Sequence, residues 1–162
     1  MADRPEFAEF VAARSPALLR TARLLTGDWA AAEDLLQDAL AICWRRWSRI
    51  DGNPEPYAHR VLVNTYLARR RRLWNRERPT GELPELAVDD PSEQVVAHEQ
   101  VEAALRLLTP KQRAVVVLRF YEDLSEAETA RLLGVSVGTV KSQTSKALAR
   151  LRVDASLTAE VS

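Results

Sequence analysis

The segment SEAETARLLGVSVGTVKSQTSKALARLR, residues 125–152, most constrains what this chain can fold into. Ser125 with Glu128 three residues on is a capping box, and Leu124 ahead of it suits a hydrophobic staple. Gly134 ends that helix, because the residue closing a helix adopts a left-handed backbone that glycine enters at little cost. Ser136 caps a second helix, expected to run to about Arg152 before the tail frays. The two helices are joined by Gly134-Val135-Ser136, a turn short enough for a helix-turn-helix. Small Ala130 permits close packing, Val135 and Val140 are expected to close the core, and Leu148 and Leu151 continue that face. The other face displays Thr139, Lys141, Ser142, Gln143, Ser145 and Lys146, polar and cationic groups that suit base edges and phosphates. A helix-turn-helix whose second helix enters the DNA major groove fits this pattern. An amphipathic hairpin with a solvated charged face fits the spacing as well.

Upstream, the apolar residues keep a helical period, and no segment alternates as a strand would. Phe7, Phe10, Val11, Leu18, Leu19, Ala22 and Leu25 form one stripe, which Gly27 closes. Asp28 caps the next, made of Ala32, Leu35, Leu36, Ala39, Leu40, Cys43 and Trp47. The DGNPEP segment, residues 51–56, breaks the pattern, and a third helix is expected from about Tyr57 into the run Arg69–Arg72. Pro79, Pro84, Pro91 and Gly81 mark residues 79–91 as a linker. The linker ends in Asp90-Pro91-Ser92-Glu93, an N-cap with a first-turn proline and a following glutamate; the helix after it is expected to reach about Leu108. Thr109-Pro110-Lys111-Gln112 is a further capping box with proline at the first helical position. The expected fold class is therefore all-α: a helical domain over 1–78, the linker at 79–91, a helix-turn-helix domain over 92–155 and a tail at 156–162.

Charge sorts along the chain although the 162 residues sum to zero. Residues 57–78 hold seven arginines against one acid, Glu77, whereas residues 82–102 hold seven acids and no Lys or Arg. Residues 139–152 hold Lys141, Lys146, Arg150 and Arg152 without an acid. Two basic islands flanking an acidic stretch favour local phosphate contacts, while the neutral sum predicts weak DNA binding by the free protein. The basic islands also invite a reading in which the acidic stretch shields them. Aromatics beside the first basic run, Tyr57, Tyr66 and Trp74, suit stacking on unpaired bases, and any one of them fits a core position as well.

Other chemistry is thinly supported. A lone Cys43 in AICW allows no intramolecular disulfide and reads as a buried small hydrophobe. His59 and His98 have no metal-ligand spacing, so no metal or cofactor is expected. There is no carboxylate cluster, nucleophile–base pair or glycine-rich phosphate loop of the kind an enzyme would need. No apolar run approaches the ~20 residues that span a bilayer, and MADRPEFAEF lacks a signal-peptide core, so cytoplasmic residence without membrane insertion is expected.

LTPKQRAVVVLRFYEDLSEAETA followed by GVSVGTVKSQTSKALARLR resembles region 4 of the extracytoplasmic-function (ECF) sigma factors. AEDLLQDALAICWRRW, residues 32–47, resembles their region 2 helix, and YAHRVLVNTYLARRRR, residues 57–72, their promoter-melting segment. The pattern is also similar to the actinobacterial SigE-like subset. The resemblance covers both expected domains in the family's order. It implies an alternative sigma factor that binds core RNA polymerase and directs initiation at minus-ten and minus-thirty-five elements, with no chemical step of its own.

The same resemblance assigns residues. Asp34, Gln37 and Asp38 would meet the clamp helices of the polymerase β′ subunit, while the C-terminal domain would sit on the β flap. Asn64 would read the non-template strand of the minus-ten element, Arg60 would hold a phosphate, and Tyr57 would stack where many relatives carry tryptophan. Lys141, Ser142 and Lys146 would contact the minus-thirty-five element, with Gln143 on a base and Thr139 on a phosphate. Lysine stands at 141 and 146 where relatives often have arginine, and it lacks the bidentate fork that reads guanine. An anti-sigma factor is an implied partner. A helix-turn-helix regulator that does not replace the sigma subunit, and an adaptor using helical faces only, stay open on the residues alone.

Overall fold

A glycine and an aspartate set the first corner of the chain. Gly27, at φ 77°, donates its N–H to the Arg23 carbonyl at 2.8 Å, closing α1 (Pro5–Thr26). Asp28 next to it caps α2 (Trp29–Arg46), its carboxylate accepting from Ala31 N–H at 3.0 Å. The computed structural model describes residues 5–76 and 93–161. Among these there are seven α-helices, one 3₁₀ turn and one π turn, and no strand. The chain divides into two units, Met1–Glu82 and Leu83–Ser162. The linker expected at 79–91, with the Asp90 cap, lies outside the described residues, as do the side chains of Trp74 and of the last residues.

In the N-terminal unit, α1, α2 and α3 (Pro54–Arg76) pack on one another. All of the α2 stripe from Ala32 to Cys43 is buried, facing Leu18, Ala22 and Leu25 of α1 and Ala58, Leu62, Val63 and Tyr66 of α3. Removing a leucine of this kind from water stabilises a fold by about 1.5–3 kcal/mol. Trp47 leaves α2 in the 3₁₀ turn Trp47–Arg49 and meets the start of α1, with ring centroids 5.2 Å from Phe7 and 5.5 Å from Phe10.

One expectation fails here. The third helix begins at Pro54, not near Tyr57. Prolines are tolerated in a helix's first turn, where their missing N–H would have no partner, and Asn53 accepts from Glu55 N–H at 3.1 Å. Of the two roles open to Tyr66, the core takes it, since it is 3% exposed.

The C-terminal unit combines short pieces with one long final helix: α4 (Glu93–Arg106), α5 (Pro110–Val116), a π turn (Val117–Tyr121), α6 (Glu126–Leu133) and α7 (Val137–Val161). Both capping boxes form with reciprocal bonds. Thr109 Oγ1 accepts from Gln112 N–H and Gln112 Oε1 from Thr109 N–H, each at 3.2 Å. Ser125 Oγ accepts from Glu128 N–H at 3.0 Å and Glu128 Oε2 from Ser125 N–H at 3.2 Å. Arg113 Nε donates to the Leu105 carbonyl at 2.8 Å, tying α5 to the end of α4. In the π turn, Glu122 N–H bonds the Val117 carbonyl five residues back at 2.9 Å, and Leu124 N–H bonds that of Leu118 at 3.0 Å. Asp123 then takes φ 57°, a left-handed conformation that aspartate tolerates better than most residues. Arg119 donates to the Leu124 carbonyl and so holds the turn against the start of α6.

Candidate nucleic-acid interface

Gly134 at φ 68° ends α6 in a paired motif: its N–H bonds the Arg131 carbonyl at 3.3 Å, and Val135 N–H bonds that of Ala130 at 3.0 Å. Ser136 then starts α7, accepting from Thr139 N–H at 3.1 Å. Val140 is fully buried and packs with Val115, Ala130 and Leu133. Val135, expected in that core, is instead 41% exposed. Its backbone is spent on closing α6, and Val140 with Ala147 supplies the packing of α7. The last helix also outruns the expected stop at Arg152 and continues to Val161, since VDASLTAEV contains neither proline nor glycine.

With Val140 fixed inward, the outer side of α7 follows from the helical repeat. Thr139, Lys141, Ser142, Ser145 and Lys146 are exposed, whereas Gln143 is half-buried at the edge of the set. The six together span about 200° of the helix circumference. Thr139 has a local duty, since its hydroxyl lies 2.9 Å from that of Ser136 and joins the cap. Lys141 and Ser145 line an open groove of about 350 Å³ with Arg119, Glu126, Thr144 and Arg152. Three cations against one carboxylate make this groove attractive to phosphate. Arg119 is a groove residue that the sequence alone did not reveal, because the π turn decides where its side chain goes.

In the N-terminal unit the helical repeat sorts α3 in the same way. Ala58, Val61, Leu62, Val63 and Tyr66 are buried, while Arg60 and Asn64 are exposed and Tyr57 is half-buried. Tyr57, Arg60 and Asn64 fall within about 60° of one another on the side away from the core. Arg14 of α1 reaches Glu55 at 3.4 Å, anchoring the first turn that carries Tyr57. On α2, Asp34, Gln37 and Asp38 are all exposed, on the side opposite Leu35 and Cys43. Asp38 is paired with Arg69 of α3, whose guanidinium also approaches the Asp34 carbonyl at 3.5 Å. The basic run is therefore not uniformly a solvated end. The Cys43 thiol is buried, and burial pushes its pKa from 9.0 to about 11, so it is protonated at neutral pH. No helix among the described residues is long and apolar enough to cross a membrane.

Comparison with known proteins decides between the readings left open. The family model for Sigma-70 region 2 matches residues 10–76, and that for Sigma-70 region 4 matches residues 98–151. The chain is 47% identical over 149 residues to the RNA polymerase sigma-E factor of Streptomyces coelicolor, covering 91% of this chain and 84% of that one. It is 38% identical to the ECF RNA polymerase sigma factor SigM of Mycobacterium tuberculosis, with 92% and 76% covered. The chain belongs to the ECF class of the sigma-70 family. It is an alternative sigma factor that directs transcription initiation, and the region 2 match sets aside a helix-turn-helix regulator that leaves the sigma subunit in place. Among solved structures, the fold is similar to the sigma factor RpoE in complex with the anti-sigma factor NepR from Bartonella quintana, with TM-score 0.76, 25% identity, and 92% and 96% of the two chains covered. It is also similar to CnrH in complex with the cytosolic domain of CnrY, at TM-score 0.68 and 22% identity, with 96% and 91% covered.

Proposed function

We propose that this sigma factor reads a promoter at two points, with each unit carrying one DNA surface and α2 carrying a polymerase surface. The observation that carries the reading is the sorting of α3. Tyr57, Arg60 and Asn64 share one solvent-facing stripe, a tyrosine, a cation and an amide suited to stacking on, holding and reading an unpaired strand. Asn64 contacts a non-template base of the minus-ten element, Arg60 a phosphate, and Tyr57 stacks. In the other unit, Lys141, Ser142, Ser145 and Lys146 enter the major groove of the minus-thirty-five element, with Gln143 and Thr139 at the margin of the contact. Arg119 and Arg152 extend the contact to phosphates along the groove they share with Lys141.

Asp34, Gln37 and Asp38 dock on the β′ clamp helices, and the C-terminal unit docks on the β flap. An anti-sigma protein restrains the factor, a reading supported by the Bartonella sigma factor having been solved with one. The factor works in the cytoplasm, where the polymerase is, and contributes binding energy rather than a chemical step. Capture of unpaired bases offsets a few kcal/mol of unstacking.

The test is run-off transcription with core polymerase on a promoter library. The factor is expected to add promoter-selective transcripts that disappear with Lys141→Ala plus Lys146→Ala. Asn64→Ala is expected to impair strand opening more than closed-complex binding, and equal loss of both would remove the role assigned to Asn64.

A further inference from the structure

Four consecutive arginines, Arg69–Arg72, lie in the second half of α3, and they do not face the same way. On a helix, residues seven apart return to within about 20° of one another, so Arg71 continues the stripe of Asn64. Arg69, five residues beyond Asn64, is rotated about 140° from it, toward α2. There its guanidinium pairs with the Asp38 carboxylate and approaches the Asp34 carbonyl at 3.5 Å. Its side chain is 30% exposed, against 57% for that of Asp38. One cation thus spans the helix that carries the minus-ten stripe and the helix that carries the polymerase-facing acids. Both contacts come from the same terminal nitrogen, Nη2, whose two N–H groups can serve a carboxylate and a carbonyl together.

We propose that Arg69 is a positioning residue of the polymerase-binding surface and not one of the DNA-contacting arginines. This rests on the reading of α2 as that surface. Arg69 fixes the side chain of Asp38 in the conformation that a cationic partner on the polymerase meets. An exposed carboxylate on a helix otherwise samples several rotamers, and ordering it on binding costs affinity. The pair itself contributes little to folding, as exposed ion pairs do. Its effect is felt in docking.

The experiment titrates fluorescently labelled full-length protein with core polymerase and, separately, follows strand opening with 2-aminopurine in the promoter at saturating polymerase. Arg69→Ala is expected to weaken binding to the core about threefold to tenfold, the low end for directly coupled side chains. Thermal unfolding and strand opening at saturation stay at wild-type levels. Arg69→Lys restores part of the affinity, since it keeps the charge on a shorter side chain with a non-planar head. The double variant Asp38→Ala/Arg69→Ala binds no more weakly than Asp38→Ala alone. Arg71→Ala shows the opposite pattern, with normal core affinity and impaired opening.

Unchanged or tighter core binding by Arg69→Ala overturns the proposal, as does a loss of opening at saturating polymerase. If Arg69→Ala proves unstable, Arg69→Gln, which keeps a polar side chain and loses the charge, decides in its place, and wild-type core affinity there overturns the proposal. If Asp38→Ala itself binds the core normally, the polymerase reading of α2 fails and the proposal falls with it. If Asp38→Ala is weakened while Arg69→Ala is not, only the proposal fails.

Discussion

The two units reach helical structure by different means. In the N-terminal unit, long helices share a continuous apolar seam: the α2 stripe is buried over its length between α1 and α3. In the C-terminal unit, α5 and α6 have seven and eight residues, too short to persist on propensity alone. They are defined by backbone termini, with a capping box at the start of each and Gly134 closing α6. The seam is a distributed device, whereas the caps are local ones. That contrast matches the roles proposed for the two units. A surface that holds unpaired bases and a polymerase needs a broad rigid body behind it, and a recognition helix needs an accurately set starting point.

The contrast is most exposed to failure at the seam. Leu62 is 0% exposed, and Leu62→Ala is expected to cost about 2–5 kcal/mol, read as a large drop in the thermal transition of the N-terminal unit. A loss below about 1 kcal/mol would mean that the seam does not carry the unit. Next come the caps. Thr109→Ala and Ser125→Ala are each expected to cost about 1 kcal/mol, detected by hydrogen exchange as faster opening of α5 or α6 while the N-terminal unit is unaffected. Equal protection before and after would show that packing, not capping, defines these helices.

A smaller effect, of opposite sign, is expected at Thr129. Its side chain is fully buried and its hydroxyl has no hydrogen-bond partner among the described residues. Thr129→Val removes an unsatisfied polar atom at nearly constant shape and is expected to raise stability by up to about 1 kcal/mol in denaturant unfolding.

An effect confined to alkaline pH, and absent at neutral pH, concerns Cys43. Its pKa is raised from 9.0 to about 11 by burial. Between these values the folded form keeps a proton that the unfolded form has lost. Stability from this group is therefore complete below pH 9 and declines as pH rises toward about 11. Unfolding midpoints that fall over this window in the wild type, and less in Cys43→Ala, would bear this out. Slow alkylation of native protein at pH 8 is the companion expectation.

Local grammar was the most legible part of the sequence. Asp28, Thr109, Ser125, Gly134 and Ser136 each act on residues within one turn of themselves, so the string of letters contains nearly the whole cause. The stripes of α1 and α2 were legible because burial on a helix repeats with its turn. The start of α3 was hidden because Pro54 and Pro56 read as breakers when their first-turn positions make them compatible with helix. Val135 was misplaced because an apolar residue in a tight turn can spend its backbone on the turn and leave its side chain outside. At the candidate surfaces, the polar residues themselves stood out, but their division did not. That Arg69 turns to Asp38 while Asn64 faces solvent depends on where α2 lies, a contact 31 residues away in the chain.

The π turn at Val117–Tyr121 acts as a phase shifter. An α-helix advances each side chain by about 100°, so one extra residue in a turn changes the heading of everything after it by that amount. Here the offset lets Val117 and Leu118 stay inside while Arg119 swings to the groove beside Lys141 and the chain leaves toward Ser125. Chain length between Val117 and Ser125 is therefore a coordinate of the proposed DNA-reading surface, as much as any side chain is. One residue inserted between Val117 and Ser125 of this chain is expected to turn Arg119 and the start of α6 out of place and to weaken promoter reading.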